Sequence, residues 1–99
     1  MAWYTYILLC DDQSYYVGLS GNLEQRIASH KAKQNIGTKE FSKIELVYHE
    51  TYETRHEAEL RETQLKKWSR AKKKALTEGN FVLLRKLSHN PKLVEDTLG

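Results

Sequence analysis

Glu62 stands where an apolar residue would be expected. It falls four residues after Ala58 and three before Leu65, on the stripe that Ala58, Leu65 and Trp68 would turn inward on a helix. An unpaired carboxylate buried there would cost on the order of several kcal/mol. Three arrangements avoid that cost: Glu62 reaches water at the helix edge, pairs with an arginine, or holds a metal ion in a cleft. Arg61 points elsewhere on the same helix, so a partner must come from another element, and Arg26 is the natural one. An arginine fork suits a carboxylate or a phosphate equally. Arg26 is therefore either half of a structural pair with Glu62 or a cation that binds a scissile phosphate and stabilises the charge building on it. His30, four residues on, shares its helix edge. It could hydrogen-bond a phosphate oxygen or relay a proton, and it equally fits a plain half-buried side chain.

Tyrosines supply the remaining polar chemistry. Tyr4, Tyr6, Tyr15, Tyr16, Tyr48 and Tyr52 all fall in stretches that read as strands, where aromatics pack well without any further role. Tyr4 and Tyr6 share one face of the first strand, and Tyr16 and Gly18 one face of the second. A glycine inside a strand often marks a close approach, so two phenols beside Gly18 could floor a pocket. A phenol titrates near about 10, and serving as a general base requires a cation to lower that value.

These residues need elements to hold them. Tyr4 to Cys10 and Tyr15 to Ser20, separated by Asp11-Asp12-Gln13-Ser14, read as an antiparallel hairpin. Asn22 with Gln25 caps a helix that carries Leu23, Arg26, Ile27 and His30 and ends near Lys33. Residues 34–43 show no period and form a loop. Ile44 to Tyr52 reads as a third strand. Thr54-Arg55-His56-Glu57 is a capping box that opens a second helix running to about Trp68. Ser69 caps a third helix, from Arg70 to about Thr77, which Gly79-Asn80 stops. The run Phe81 to Leu87 fits a short helix or a strand, and Ser88-His89-Asn90-Pro91 is a breaker. The expectation is an α+β domain over residues 1–87, ordered β-β-α-β-α-α, with a flexible tail over 88–99.

Ninety-nine residues make one domain, and a net charge of +3 permits an anionic partner without requiring one. Cys10 is the one cysteine and sits in a strand, so no disulfide framework exists, and the four histidines lack zinc spacing. No apolar run is long enough to span a membrane and no secretory signal is visible, which points to a cytoplasmic location. The cations concentrate at the junction of the second and third helices, in Lys66, Lys67, Arg70, Lys72, Lys73 and Lys74, with Lys39 in the preceding loop. Such a run is either a solvated helix face or the footprint of phosphate-backbone contacts. There is no glycine-rich phosphate loop, no Ser/His/Asp set and no aspartate-rich cluster.

Taken in order, Tyr4-Thr5-Tyr6, Tyr16-Val17-Gly18, Arg26, His30 and Glu62 resemble the GIY-YIG nuclease superfamily, most closely its small stand-alone bacterial members. The chain is also similar to the N-terminal incision domain of the bacterial excision-repair nuclease. The pattern covers residues 3 to about 78, with Thr54-Arg55-His56-Glu57-Ala58 and Ser69-Arg70-Ala71-Lys72-Lys73 beside it. Tyr4 replaces the glycine that opens the family's first tripeptide, and Leu19 replaces the lysine that the repair nuclease carries after the second. For the asparagine that larger enzymes place on a later helix, Asn80 is only a distant candidate.

The resemblance implies a three-stranded antiparallel sheet flanked by helices and a metal-dependent endonuclease that hydrolyses phosphodiesters. One divalent ion is expected, magnesium or else manganese. It implies Glu62 as metal ligand, Tyr16 or Tyr6 orienting or deprotonating water, Arg26 stabilising the transition state, and His30 assisting. The expected partner is nucleic acid, DNA before RNA, bound by a monomer and cut in a structure-selective way in repair or processing. Two alternatives remain: a weakly catalytic or non-catalytic nucleic-acid-binding module of the same fold, and a protein-interaction domain whose polar residues form a structural network.

Overall fold

In a computed structural model, which describes residues 2–32, 38 and 40–89, the chain forms β1 (Trp3–Cys10), β2 (Ser14–Ser20), α1 (Leu23–Lys31), β3 (Ile44–Tyr52), α2 (Arg55–Lys66), α3 (Arg70–Thr77) and α4 (Phe81–His89). The strands make one antiparallel sheet in the order β2-β1-β3. The expected α+β class and the first six elements are present, and α4 is added to them. Lys33, Lys39 and the tail beyond His89 lie outside the described residues.

Local chemistry accounts for most of the boundaries. Asp11 and Asp12 turn the hairpin at φ 52° and 57°, a conformation that aspartate tolerates because its side chain bonds locally. Asp11 Oδ1 accepts the Lys43 amide at 2.7 Å, which ties the turn to the start of β3. Each expected cap forms: the Gln25 amide donates to Asn22 Oδ1 (3.0 Å), the Glu57 amide to the Thr54 hydroxyl (3.2 Å) and the Lys72 amide to the Ser69 hydroxyl (3.2 Å).

The ambiguous run after Gly79 is a helix because both of its approaches are prepared. Gly79, at φ 69°, closes α3 in a Schellman arrangement, with the Asn80 amide donating to the Ala75 carbonyl. Asn80 then turns its side chain to the Leu83 amide (3.1 Å) and caps α4. That capping bond occupies the one asparagine that might have matched the family's later position. The helix continues through Ser88 and His89, past the point where a breaker was expected.

The sheet is covered on both faces. Ile7 and Val17 pack with Leu65, Leu76 and Leu84 from α2, α3 and α4 and with Trp68 from the α2–α3 connection. Tyr6, Leu8 and Cys10 pack with Leu23 and Ile27 from α1 on the other face. Pairing between β1 and β3 shifts between Ile7 and Leu8, so that Ile7 meets Tyr48 while Leu8 meets Leu46. This bulge at Val47 reverses the alternation of β3. Beyond it His49 pairs with Tyr6 and lies on the α1 side, whereas Tyr48 packs with the α2 and α3 core.

Candidate active site

Tyr6 is the buried centre of the constellation, only 2% exposed. Register places it opposite Gly18, and its phenol lies across that glycine. A methyl group at position 18 would stand 2.3 Å from the ring carbon and hydroxyl of Tyr6, so the missing side chain is what lets the ring lie there. The Tyr6 hydroxyl and His30 Nε2 are 2.9 Å apart, and His30 Nδ1 is 2.7 Å from the Thr38 hydroxyl. Either neutral tautomer of His30 satisfies both bonds. Tyr16 meets the same imidazole edge-on, with centroids 5.3 Å apart.

Charge from three elements acts on this centre. Burial, above all, raises the Tyr6 phenol far beyond its ordinary 10.0; Tyr16 and Glu62 push in the same direction, and Arg26 opposes them. Tyr6 is therefore a neutral phenol at every physiological pH and is not equipped to accept a proton from water. Burial, helped by Arg26, lowers His30 below 6.5, so the imidazole is neutral. Arg26 of α1 is felt at both groups and Glu62 of α2 at Tyr6, so the two charges lie near this centre.

Arg26 itself is exposed and lines an open cleft of about 300 Å³ with Ser20, Asn22, Gln25 and Ser29. Among the described residues it forms no ion pair with Glu62. The Glu62 side chain is 20% exposed, and its ion-pair partner is Lys66, one turn away at 3.5 Å. A single pair of that length to an exposed lysine contributes little and leaves most of the carboxylate's lone pairs free. No group of three or more metal-binding side chains occurs among the described residues. A single half-buried carboxylate still fits magnesium, which keeps several waters and completes its shell with phosphate oxygens.

Residues 2–75 match the GIY-YIG catalytic domain. The chain belongs to the GIY-YIG family. Its relatives include UPF0213 proteins of Pediococcus acidilactici, 36% identical over 87% of this chain and 91% of the relative, and of Staphylococcus saprophyticus, 41% identical over 77% and 95%. The solution NMR structure of a UPF0213 protein from Bacillus halodurans is 31% identical. It superposes with a TM-score of 0.52 over 91% of this chain and all of that one. No described helix is long and apolar enough to cross a membrane.

In this GIY-YIG domain the cationic run divides. Lys72 is fully buried, its ammonium 4.2 Å from the centre of the Trp68 ring, which removes it from any nucleic-acid contact expected of it. The α3 spacing explains this, since Lys72 shares the inward face with Ala75 and Leu76. Lys67, Arg70 and Lys74 are exposed, as is the paired Lys66, and Lys73 is half-buried. Thr38 was not expected at the site at all. It sits in an aperiodic loop and nothing in the sequence marks it, yet it is fully buried and fixes the far side of His30.

The same domain contains a second polar cluster. Glu50 of β3 accepts Arg61 Nε (2.9 Å) and Nη2 (3.1 Å), together with the hydroxyls of Tyr48 and Tyr52. Arg61 also donates to Gln64 Oε1 (2.6 Å) and lies over Trp68. Burial works against the Glu50 carboxylate, but Arg61 and the two phenols outweigh it and hold its pKa low. The Tyr52 phenol is pushed up to about 12, by burial first and then by Glu50.

Proposed function

We propose that the domain is a metal-dependent endonuclease that hydrolyses phosphodiesters in DNA, with the cleft beside Arg26 receiving the scissile phosphate. The observation that carries this reading is the unbalanced charge around Tyr6. An exposed arginine and a half-buried glutamate converge there without pairing, and a structural network would have joined them. Arg26 binds the phosphate and stabilises the charge that develops in the transition state. Tyr16, half-buried and against His30, orients the attacking water. Tyr6 holds the neutral His30 at Nε2, and Thr38 fixes its opposite nitrogen, so the imidazole keeps one orientation and positions the Tyr6 hydroxyl beside the cleft.

Glu62 would hold one divalent ion, magnesium or manganese, together with water and phosphate oxygens. When bound, the ion supplies Lewis-acid stabilisation of the phosphoryl group. The test is cleavage of single-stranded, duplex, flap and four-way DNA with magnesium or manganese, and with EDTA as control. Metal-dependent nicking of at least one substrate, lost in Glu62→Ala at unchanged stability, is the expected result. Salt-sensitive binding without any cleavage would favour a binding module of the same fold.

A further inference from the structure

Two of the cations from the divided run share a pocket that the proposed catalytic chemistry does not use. Gln13, Ser14 and Tyr15 at the start of β2 and Arg70 and Lys73 on α3 line a hollow of about 260 Å³. Arg70 is held across its mouth, with Nε donating to the Gln13 carbonyl at 2.8 Å and the guanidinium 5.8 Å from the Tyr15 ring centre. That leaves its two terminal nitrogens without a hydrogen bond among the described residues. Lys73 projects from the next turn of α3. Its ammonium is half-buried, burial lowers its pKa, and among the described residues no carboxylate pairs with either cation. Elsewhere the chain neutralises such groups, as it does for Arg61 and Arg55. Two pre-positioned cations, a hydroxyl at Ser14 and no acid make a site suited to a phosphate.

Its position in the fold indicates whose phosphate this is. β2 is an edge strand, and it begins at this pocket with Ser14 and ends at the Arg26 cleft with Ser20. Six steps of about 3.3 Å separate the two, roughly 20 Å along the free edge. A stacked strand advances about 3.4 Å per phosphate, so about six phosphates cover that distance. We propose that the pocket between the hairpin turn and α3 binds a second phosphate of the nucleic-acid strand whose scissile phosphate lies at Arg26, with Arg70 and Lys73 as its cations. This rests on the nuclease reading of the Arg26 cleft. A contact of this kind fixes register and carries no sequence preference.

The test is affinity in EDTA, where nothing is cut, for a single-stranded DNA dodecamer and a tetramer over a series of salt concentrations. Lys73→Gln should weaken dodecamer binding about tenfold and reduce the slope of log affinity against log salt by up to about 0.7, and Arg70→Gln with Lys73→Gln should lower affinity and slope further. The tetramer is too short to bridge the two sites and should bind as before, and Lys73→Arg should restore the dodecamer. Unchanged dodecamer affinity and slope would overturn the proposal, as would equal loss for both lengths. Arg26→Ala, assayed for magnesium-dependent cleavage, reports separately on the nuclease reading. If cleavage survives it, that reading fails whatever the dodecamer shows.

Discussion

The molecule holds two groups of the same composition, each with a glutamate, an arginine and two tyrosines, in opposite states of completion. Glu50, Arg61, Tyr48 and Tyr52 close on one another: the carboxylate accepts two guanidinium and two phenol bonds and has little capacity left. Glu62, Arg26, Tyr6 and Tyr16 converge without closing. There Arg26 faces an open cleft, and the carboxylate's ion-pair partner among the described residues is an exposed lysine. Residue types alone do not distinguish a structural network from a site. The difference lies in which charges have already found partners: the Glu50 carboxylate has four bonds, whereas Glu62 has one long pair with an exposed lysine among the described residues.

If the comparison holds, the two groups respond oppositely to mutation. Arg26→Ala should lower the rate of magnesium-dependent DNA cleavage by about 100- to 1,000-fold, the scale for removing one transition-state stabiliser. Its melting temperature should not move, since Arg26 is exposed and forms no ion pair among the described residues. Glu50→Gln should do the reverse. It strands a guanidinium that is about one-fifth exposed, at a cost of about 2 kcal/mol after allowing for solvent screening, measured by urea unfolding. Cleavage well below the melting temperature should persist.

Gly18→Ala probes the centre itself. The added methyl must displace the Tyr6 ring, with a cost of about 1–3 kcal/mol that Tyr6→Ala in the same chain should largely remove. The smallest effect expected is that of pH. His30 is buried neutral, with its pKa below the unfolded 6.5, so the unfolded chain binds a proton first as pH falls. Stability is then full above about 6.5 and is lost as pH falls from there through the folded value. In His30→Gln, measured by thermal unfolding between pH 7 and 5, that part of the loss should be absent.

Much of this arrangement is legible in the sequence because local signals and burial agree. Asn22, Thr54 and Ser69 cap where expected, the polar gap makes a hairpin although Ser14 joins β2 and leaves three residues in the turn, and Glu62 draws attention by breaking an apolar stripe. What escapes reading depends on tertiary contacts. The bulge falls at Val47, a β-branched residue among others, and only pairing with β1 shows that it reverses the strand's faces. Lys72 belongs to a charge run, and its burial follows from Trp68, which the run does not mention. Thr38 has no period to announce it. Helix geometry makes Arg61 a poor partner for Glu62, but its true partner, eleven residues back on β3, depends on how α2 crosses the sheet.

The most direct measurement sets the two glutamates side by side: magnesium-dependent nicking of DNA by the parent chain, Glu62→Gln and Glu50→Gln, each with its melting temperature. Loss of nicking in Glu62→Gln at an unchanged melting temperature, with nicking retained in a less stable Glu50→Gln, is the predicted result. Nicking that survives Glu62→Gln, or that falls equally in both variants, would contradict the assignment of the open group as the catalytic one.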